Sequence, residues 1–480
     1  MGTTTKIEWC DHTFNPWRGC QHATDEAGAV HPACEHCYAE AMSKRNPQVL
    51  GKWGPSGEGG TRVVASEAQW ALPAKWNAAA EKAGERRRVF CASLADVFED
   101  WKGPIADHRG LLGHVFLKDG DWGFGPDMVG RERFPTVNTR PLTMDDLRRR
   151  LFELIDATPW LDWLMLTKRP ENVRRMWPDR PGSHYYCEEP GFDEATGDFT
   201  DGVHRCNQQR PNVWLGTSVS DQATADAWLP RLVELRDLAP VLFLSIEPLL
   251  GPIDLVGMTK PTESDWEEFH YRTEGMEGWE EPEELIEECE EECDWINYGR
   301  NLVESSEHRE WKSDRLRFAQ RIALRRSIDW VIVGGESGPH ARPMHPQWAR
   351  SIRDQCQAAG VPFFFKQWGE WAPFATQAHY DDGIVGGDCG GPSSLTARYA
   401  NFRQEDGSYK HRKIKPDQYQ ATWRDGSKKV CEFREEPSHT WGKDDRCTMT
   451  YVKVGKAKAG RLLDGREWSE FPSASEAVTP

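Results

Sequence analysis

Short, continuously apolar runs alternate along the chain with segments whose apolar residues recur at helical spacing. The runs are Arg88–Ser93, Asp162–Thr167, Asn212–Ser218, Val241–Ile246, Asp329–Gly334 and Pro362–Lys366, each ending in small or polar residues. A strand that is apolar throughout is covered on both faces, as in a parallel sheet. An earlier run, Thr13–Trp17, reads as the first strand. Between the runs, Ser66–Ala80 carries Trp70, Leu72 and Trp76 behind a Ser66 N-cap. Thr143–Ala157 opens on a capping sequence and sets Leu147, Leu151, Leu154 and Ile155 on one stripe. Asp221–Leu235 and His345–Ala359 repeat the pattern, and Gly360 stops the second. This alternation predicts an α/β protein built as a (β/α) barrel or a partial TIM-like barrel.

Three stretches interrupt the series. Residues 101–141 and 178–210 are rich in Gly, Pro and Asp and read as long loops or small lids. The third, 252–328, contains the Glu-rich run EEPEELIEECEEEC, which reads as a solvated helix. After about residue 376 the texture turns to Gly-rich loop with short β-like runs, YKHRKIK, KKVCEF and CTMTYVKVG. The expected organisation is a barrel domain over 1–376 carrying three insertions, followed by a C-terminal appendage over 377–480.

At 480 residues and 38% hydrophobic, the chain can bury a large core. No run reaches membrane-spanning length, and MGTTTKIEWCDH lacks the apolar region of a secretory signal. A soluble, cytoplasmic protein is expected. The net charge of −17 is local: residues 263–294 hold sixteen acidic side chains against Arg272, leaving about −2 for the rest. Most of the 23 tryptophans are expected in the core or as loop anchors. Thirteen cysteines without an export signal point to buried thiols and a metal or cluster site, not to a disulfide framework.

The sharpest local feature is GCQHATDEAGAVHPACEHCYAE, which spaces Cys20, Cys34 and Cys37 as C-x13-C-x2-C. A C-x2-C turn aims two thiolates at one centre, and a loop that folds back brings a third. Zinc would take these three with one of His22, His31 or His36. A [4Fe–4S] cluster would take the three and leave one iron open. Buried thiols without a ligand are the remaining possibility.

Polar residues at the strand ends are the other candidates, since barrel sites are built where strands terminate. They are Ser93 and Asp96; Thr167, Lys168 and Arg169; Gly216, Thr217 and Ser218; Ser245 and Glu247; Gly334, Gly335 and Glu336; Lys366 and Gln367. About half are expected to face a pocket, the rest capping helices or satisfying carbonyls. Gly334 and Gly335 would admit a ligand to the backbone, and Glu336 would accept from an ammonium or a ribose hydroxyl. Lys168 with Arg169 suits a carboxylate or phosphate. Glu247 suits a ribose contact or proton transfer. Cys91 and Cys356 read as core, and the pairs Cys289/Cys293 and Cys187/Cys206 as incidental thiols or minor metal sites. The clusters Arg86–Arg88 and Arg148–Arg150 and the run 409–415 offer phosphate contacts.

A three-cysteine loop after the first barrel strand resembles the radical SAM enzymes. The resemblance implies a [4Fe–4S] cluster on Cys20, Cys34 and Cys37, with S-adenosylmethionine chelated at the open iron. One-electron reduction by an external donor would then give a 5′-deoxyadenosyl radical. The usual loop there is C-x3-C-x2-C, so the first gap here is ten residues longer. A GGE segment binds the cofactor's amino group in those enzymes after the second strand, whereas Gly334-Gly335-Glu336 stands near the end of the series. A wider likeness covers 7–376 and 450–472. IEWCDHTFNPWRGC, CEHCYAE, TKRPENV, LGTSVSD, SIEPLLGPI, VIVGGESGPHARPMHP, FFFKQWGEW and GKAKAGRLLDGREW resemble an uncharacterised phage-associated three-Cys-motif family. That likeness implies a radical-SAM-like enzyme in the host cytoplasm, with a nucleic-acid base, in modified phage DNA, as a candidate substrate. Glu247 and Lys168 are then the candidate catalytic residues. Ser93, Thr217, Ser245, Gly334, Gly335 and Glu336 are the candidate cofactor contacts. The competing expectation is a zinc-stabilised, non-catalytic binding protein on a barrel scaffold.

Overall fold

The computed structural model describes residues 5, 7–25, 28–116, 122–125, 139–180, 184–187, 191–192, 199–200, 203–206, 208–257, 320–321, 323–324, 327–373, 399–403, 409–413, 419–423, 447–453 and 455–472. Its centre is a seven-stranded parallel sheet: β1 His12–Phe14, β2 Arg87–Cys91, β3 Leu161–Thr167, β4 Val213–Ser218, β5 Val241–Ile246, β6 Trp330–Gly334 and β7 Phe363–Gln367. Spatial order equals chain order, as successive crossovers of one hand produce. The sheet curls into a half-barrel. Among the described residues β1 and β7 do not pair with each other, so the partial barrel is the form observed, and a closed TIM barrel is not.

Helices α1 Pro32–Glu35 and α2 Tyr38–Arg45 lie in the cysteine segment. Helices α3 Leu72–Ala83, α4 Met144–Asp156, α5 Pro170–Met176, α6 Gln222–Val233 and α7 Pro346–Ala359 cover the convex face. Local chemistry sets their ends. Thr143 and Asp146 cap α4 reciprocally, and Gly360 closes α7 at φ 71°. The single helix expected over Ser66–Ala80 is two, Glu67–Trp70 and α3, because Pro73 withdraws an amide in the first turn of α3.

The expected first strand also ends early. Pro16 has no amide to give a ladder, so β1 stops at Phe14. Trp17–Arg18 turns away to pair antiparallel with Arg62–Val64. That pair opens a second, six-stranded sheet with Ile105–Ala106, Leu112–Phe116, Trp122–Gly125 and Thr139–Pro141. Much of the stretch expected to be loop or lid, 101–141, is thus sheet.

In 178–210, His184–Cys187 pairs with Val203–Cys206, and Gly191–Phe192 with Phe199–Thr200. The acidic run and KKVCEF lie outside the described residues. Beyond β7, Trp371–Pro373, Cys447–Lys453 and Tyr419–Trp423 form one antiparallel sheet, and Tyr399–Arg403 pairs with Tyr409–Lys413. Residues 455–472 return to the half-barrel: Ser469 bridges Phe364, and Phe365 N donates to Trp468 O at 2.9 Å. Among the described residues no helix is long and apolar enough to cross a membrane.

Period-two alternation sorts the strand residues between two cores. Val89, Trp163, Met165, Leu215, Leu244, Val331 and Phe365 meet the helices. Phe90, Leu164, Trp214, Phe243, Trp330, Ile332 and Phe364 line the concave face with Trp9. Trp330 lies at the centre of the concave cluster. Its ring meets those of Trp9, Trp214, Phe243, Phe364 and Phe471 at centroid distances of 5.2–6.3 Å, and its Nε1 donates to Glu470 O at 2.9 Å. The Trp330→Ala variant should lose about 3–5 kcal/mol of stability, measured by urea unfolding. A loss below about 1 kcal/mol would show that these rings do not act as one core.

Candidate functional site

The cysteine segment leaves the sheet at β1 and is fastened as it goes. Asn15 Nδ2 donates to Ser93 Oγ at 3.1 Å, and Asn15 Oδ1 accepts from Leu94 N at 2.7 Å. Gly19 N donates to Leu94 O at 3.1 Å. Gly19 has φ +100° with Thr61 O against the side a Cβ would occupy, so glycine is required before Cys20. Residues 23–25 and 28–31 then close on one another. Thr24 bridges Val30, Asp25 caps Ala29 N at 2.8 Å, and His31 N donates to Ala23 O at 2.8 Å.

From that neck the chain enters α1, whose N-cap is His31. His31 Nδ1 accepts from Ala33 N at 3.1 Å, so Nε2 carries the proton and donates to Ser218 O at 3.1 Å, at the end of β4. Cys34 lies in α1 and Cys37 at the N-cap of α2, where the helix dipole favours an anionic sulfur. Tyr38 Oη donates to Ser93 O at 2.6 Å.

A buried charge network lies behind Cys20. Glu99 accepts from Gln21 N at 2.8 Å and from Arg62 at 2.6 and 2.7 Å, with Arg62 and Glu99 wholly inaccessible. Asp96 accepts from Thr167 Oγ1 at 2.8 Å, Lys168 N at 3.1 Å and Arg169 Nη1 at 2.9 Å. Arg169 continues to Gln21 O at 2.8 Å and stands 3.9 Å from Cys20 Sγ. Burial, with Glu99 and Asp96 nearby, pushes the Cys20 thiol well up, and Arg169 acts against them. Burial raises the Cys37 thiol too, while the amides of Glu40 and Ala39 and the Lys168 ammonium pull it down. Burial alone would disfavour the Arg169 cation, but Cys20, Asp96, Glu99 and Cys34 hold it firmly protonated.

The other candidates divide by strand parity. Register aligns Ser245 with Ser218 on the concave side, above Phe243. Glu247 follows two residues later, and its carboxylate pairs with Lys366 Nζ at 2.9 Å. Gly334 leaves the space that the Glu247 carboxylate fills, and Gly335 backs onto the Trp368 carbonyl. Protein groups thus occupy the room on both glycines. Thr217 faces the helices and donates to Thr167 O at 2.9 Å. Ser93 is tied to Asn15. Glu336 is held by Arg342, from N and Nε to Oε2 at 2.7 and 2.8 Å and from Nη2 to Oε1 at 2.7 Å. His36 Nδ1 lies 3.3 Å from the same Oε1. Arg342 also binds Pro32 O and Glu35, so this pair latches the cysteine segment to the end of β6. Lys168 acts electrostatically on both Cys37 and His31. Among the described residues no carboxylate forms a salt bridge with its ammonium.

Cys91 and Cys356 are core, as expected. The side chains of Cys187 and Cys206 and all of Cys289 and Cys293 lie outside the described residues. The arginine clusters pair with carboxylates of the same chain, with Arg149 largely exposed and 3.8 Å from Asp146. Arg86 pairs with Asp162, Arg87 with Glu85, Arg88 with Asp11, Arg148 with Asp145 and Arg150 with Glu67. Sequence reasoning missed Arg62, Glu99 and Arg342. Only Glu99 left a signal, as one of three acids set among apolar residues in SLADVFEDW.

For the cluster or zinc expected on the three cysteines, the donor set is suitable in kind. Three thiols flank one closed loop, and a buried guanidinium stands ready to balance their negative charge. Among the described residues, however, no three His, Cys, Asp or Glu side chains converge as a metal-holding group as they stand.

A family model described as "Protein of unknown function (DUF5131)" matches residues 4–104 and 141–472, and the chain belongs to that family. The match omits 105–140, which supply most of the second sheet, and runs unbroken through 377–472. No curated protein and no solved structure matches the chain.

Burial, reinforced by the Lys168 cation, lowers the His31 pKa from 6.5 to about 3. The unfolded chain therefore binds the extra proton first, and this contribution to stability, complete above about pH 6.5, is lost as pH falls toward 3. His31→Gln should flatten the pH dependence of the urea midpoint between those limits. An unchanged profile would show that His31 titrates normally in the folded chain.

Proposed function

We propose that this protein is a radical SAM-type enzyme, with Cys20, Cys34 and Cys37 as ligands of a [4Fe–4S] cluster. One observation carries the reading. All three cysteines lie on the segment that follows β1 at the carboxyl end of a parallel half-barrel, and two of them, Cys20 and Cys34, act electrostatically on the buried Arg169. When bound, the cluster and S-adenosylmethionine supply a 5′-deoxyadenosyl radical that removes a hydrogen atom from substrate, given one electron from an external donor.

The chain's own residues do the rest. The concave aromatic floor excludes water from below. Above it Ser245, Glu247, Lys366 and Lys168 form a polar rim, where a substrate can be oriented by hydrogen bonds. Glu247, paired with Lys366, is held ready to accept or return a proton. Lys168 is the cation suited to an anionic group of cofactor or substrate. Glu336 supports the reading as the group that seats the cysteine segment through Arg342, and Ser93 does so through Asn15. A nucleic-acid base as substrate rests on the phage association that the sequence likeness implies, since the two arginine clusters pair within the chain and the side chains of 409–415 lie outside the described residues.

Protein purified without oxygen should be brown and contain iron and sulfide, and with reductant and S-adenosylmethionine should release 5′-deoxyadenosine. Cys34→Ala should lose colour and product while its thermal melt stays near wild type. Colourless wild-type protein carrying zinc, with Cys34→Ala unfolding, would replace this reading with the zinc-stabilised binding protein.

A further inference from the structure

We propose that Arg169 is a positioning residue whose fixed positive charge raises the reduction potential of the centre held by Cys20, Cys34 and Cys37. The inference rests on the cluster reading above. Arg169 is 7% exposed, and its reach is used inside the protein. Nη1 meets Asp96 at 2.9 Å and lies 3.9 Å from Cys20 Sγ, while Nη2 binds Gln21 O at 2.8 Å. A guanidinium engaged on these three groups does not clamp an incoming phosphate. It is instead locked against the first ligand of the site.

Asp96 keeps it there without fully cancelling it. That carboxylate also accepts from Thr167 Oγ1 and Lys168 N, which disperse its charge away from Arg169. A cubane with three thiolates carries one negative charge when oxidised and two when reduced. The step is the transfer of one electron from an external low-potential donor, with no bond made or broken and no proton moved. A cation held in a poorly polarisable interior favours the doubly charged form, and hydrogen bonds and charge near the sulfurs are established levers on cluster potential.

The test is a redox titration of anaerobically purified protein, followed by the electron paramagnetic resonance signal of the reduced cluster, with iron and sulfide content measured in parallel. Arg169→Gln should keep its iron but shift to a more negative midpoint, lowering the reduced-to-oxidised ratio at a fixed poise by roughly tenfold. Arg169→Lys, which keeps the charge, should stay near wild type. Asp96→Asn, which frees the same charge, should shift the other way and provides the answer if Arg169→Gln does not fold. Loaded variants with the wild-type midpoint would overturn the proposal. So would an Arg169→Lys shift as large as that of Arg169→Gln, which would assign the effect to the Gln21 bond. Wild-type protein without iron and sulfide would remove the cluster reading itself, whereas a loaded wild type with unmoved variants removes only the role of Arg169.

Discussion

Two carboxylates three residues apart, Asp96 and Glu99, hold the exit of β3, the second sheet and the cysteine segment together. Asp96 collects the exit of β3 through Thr167, Lys168 and Arg169, and Glu99 collects the second sheet through Arg62 and the cysteine segment through Gln21. Burying four charges is costly, and a pair of this kind adds little net stability over apolar residues of equal volume. What it adds is definition. Apolar contacts can slide by an ångström, whereas a two-bond arginine–carboxylate pair has one geometry. Removing either partner would strand an ion in the interior at a cost of about 3–5 kcal/mol. The position of Cys20 is therefore coupled to the integrity of the fold.

The concave face shows a complementary division of labour. Its lower layers are filled by large rings meeting Trp330 edge to face or tilted, and residues 455–472 supply Phe471 to that packing. The half-barrel is thus a solid wedge at the amino end of its strands. Toward the carboxyl end the inward residues become Gly216, Ser245, Gly334 and Lys366, so the same face turns polar within two residues of the aromatic layer. A reactive species generated there would have protein, not solvent, beneath it.

The strands were legible because a parallel sheet covered on both faces leaves continuous apolar runs, and six of the expected runs coincide with β2–β7 to within two residues. What could not be read was which way each strand end faces. Thr217 and Ser245 look equivalent in sequence, yet the register sends one to a backbone carbonyl beneath the helices and the other to the concave rim. Parity at a strand end depends on bulges and on the neighbour's register, and neither is local information. The same holds for Glu336, whose partner Arg342 is six residues on but whose effect falls on Pro32 and Glu35, far away in the chain. The small sheet was hidden for a different reason. Its strands are short and Gly- and Pro-rich, and the sheet recruits Trp17–Arg18 and Arg62–Val64 from distant segments.

The long gap between Cys20 and Cys34 is less of a departure than its count suggests. Ligand spacing matters only through the path the chain takes between ligands, and Thr24 and Val30 come back together on that path. The Thr24–Val30 bridge and the His31 N to Ala23 O bond at 2.8 Å close them into a side loop. The chain therefore resumes at His31 next to the point it left at Ala23. Along the path that remains, three residues lead from Cys20 to the neck and three lead from it to Cys34. His31 then fixes the second half, reaching Ser218 O with one ring nitrogen and the α1 amide of Ala33 with the other. The constraint on the segment accordingly lies in the neck and its buried histidine, not in the number of residues between Cys20 and Cys34.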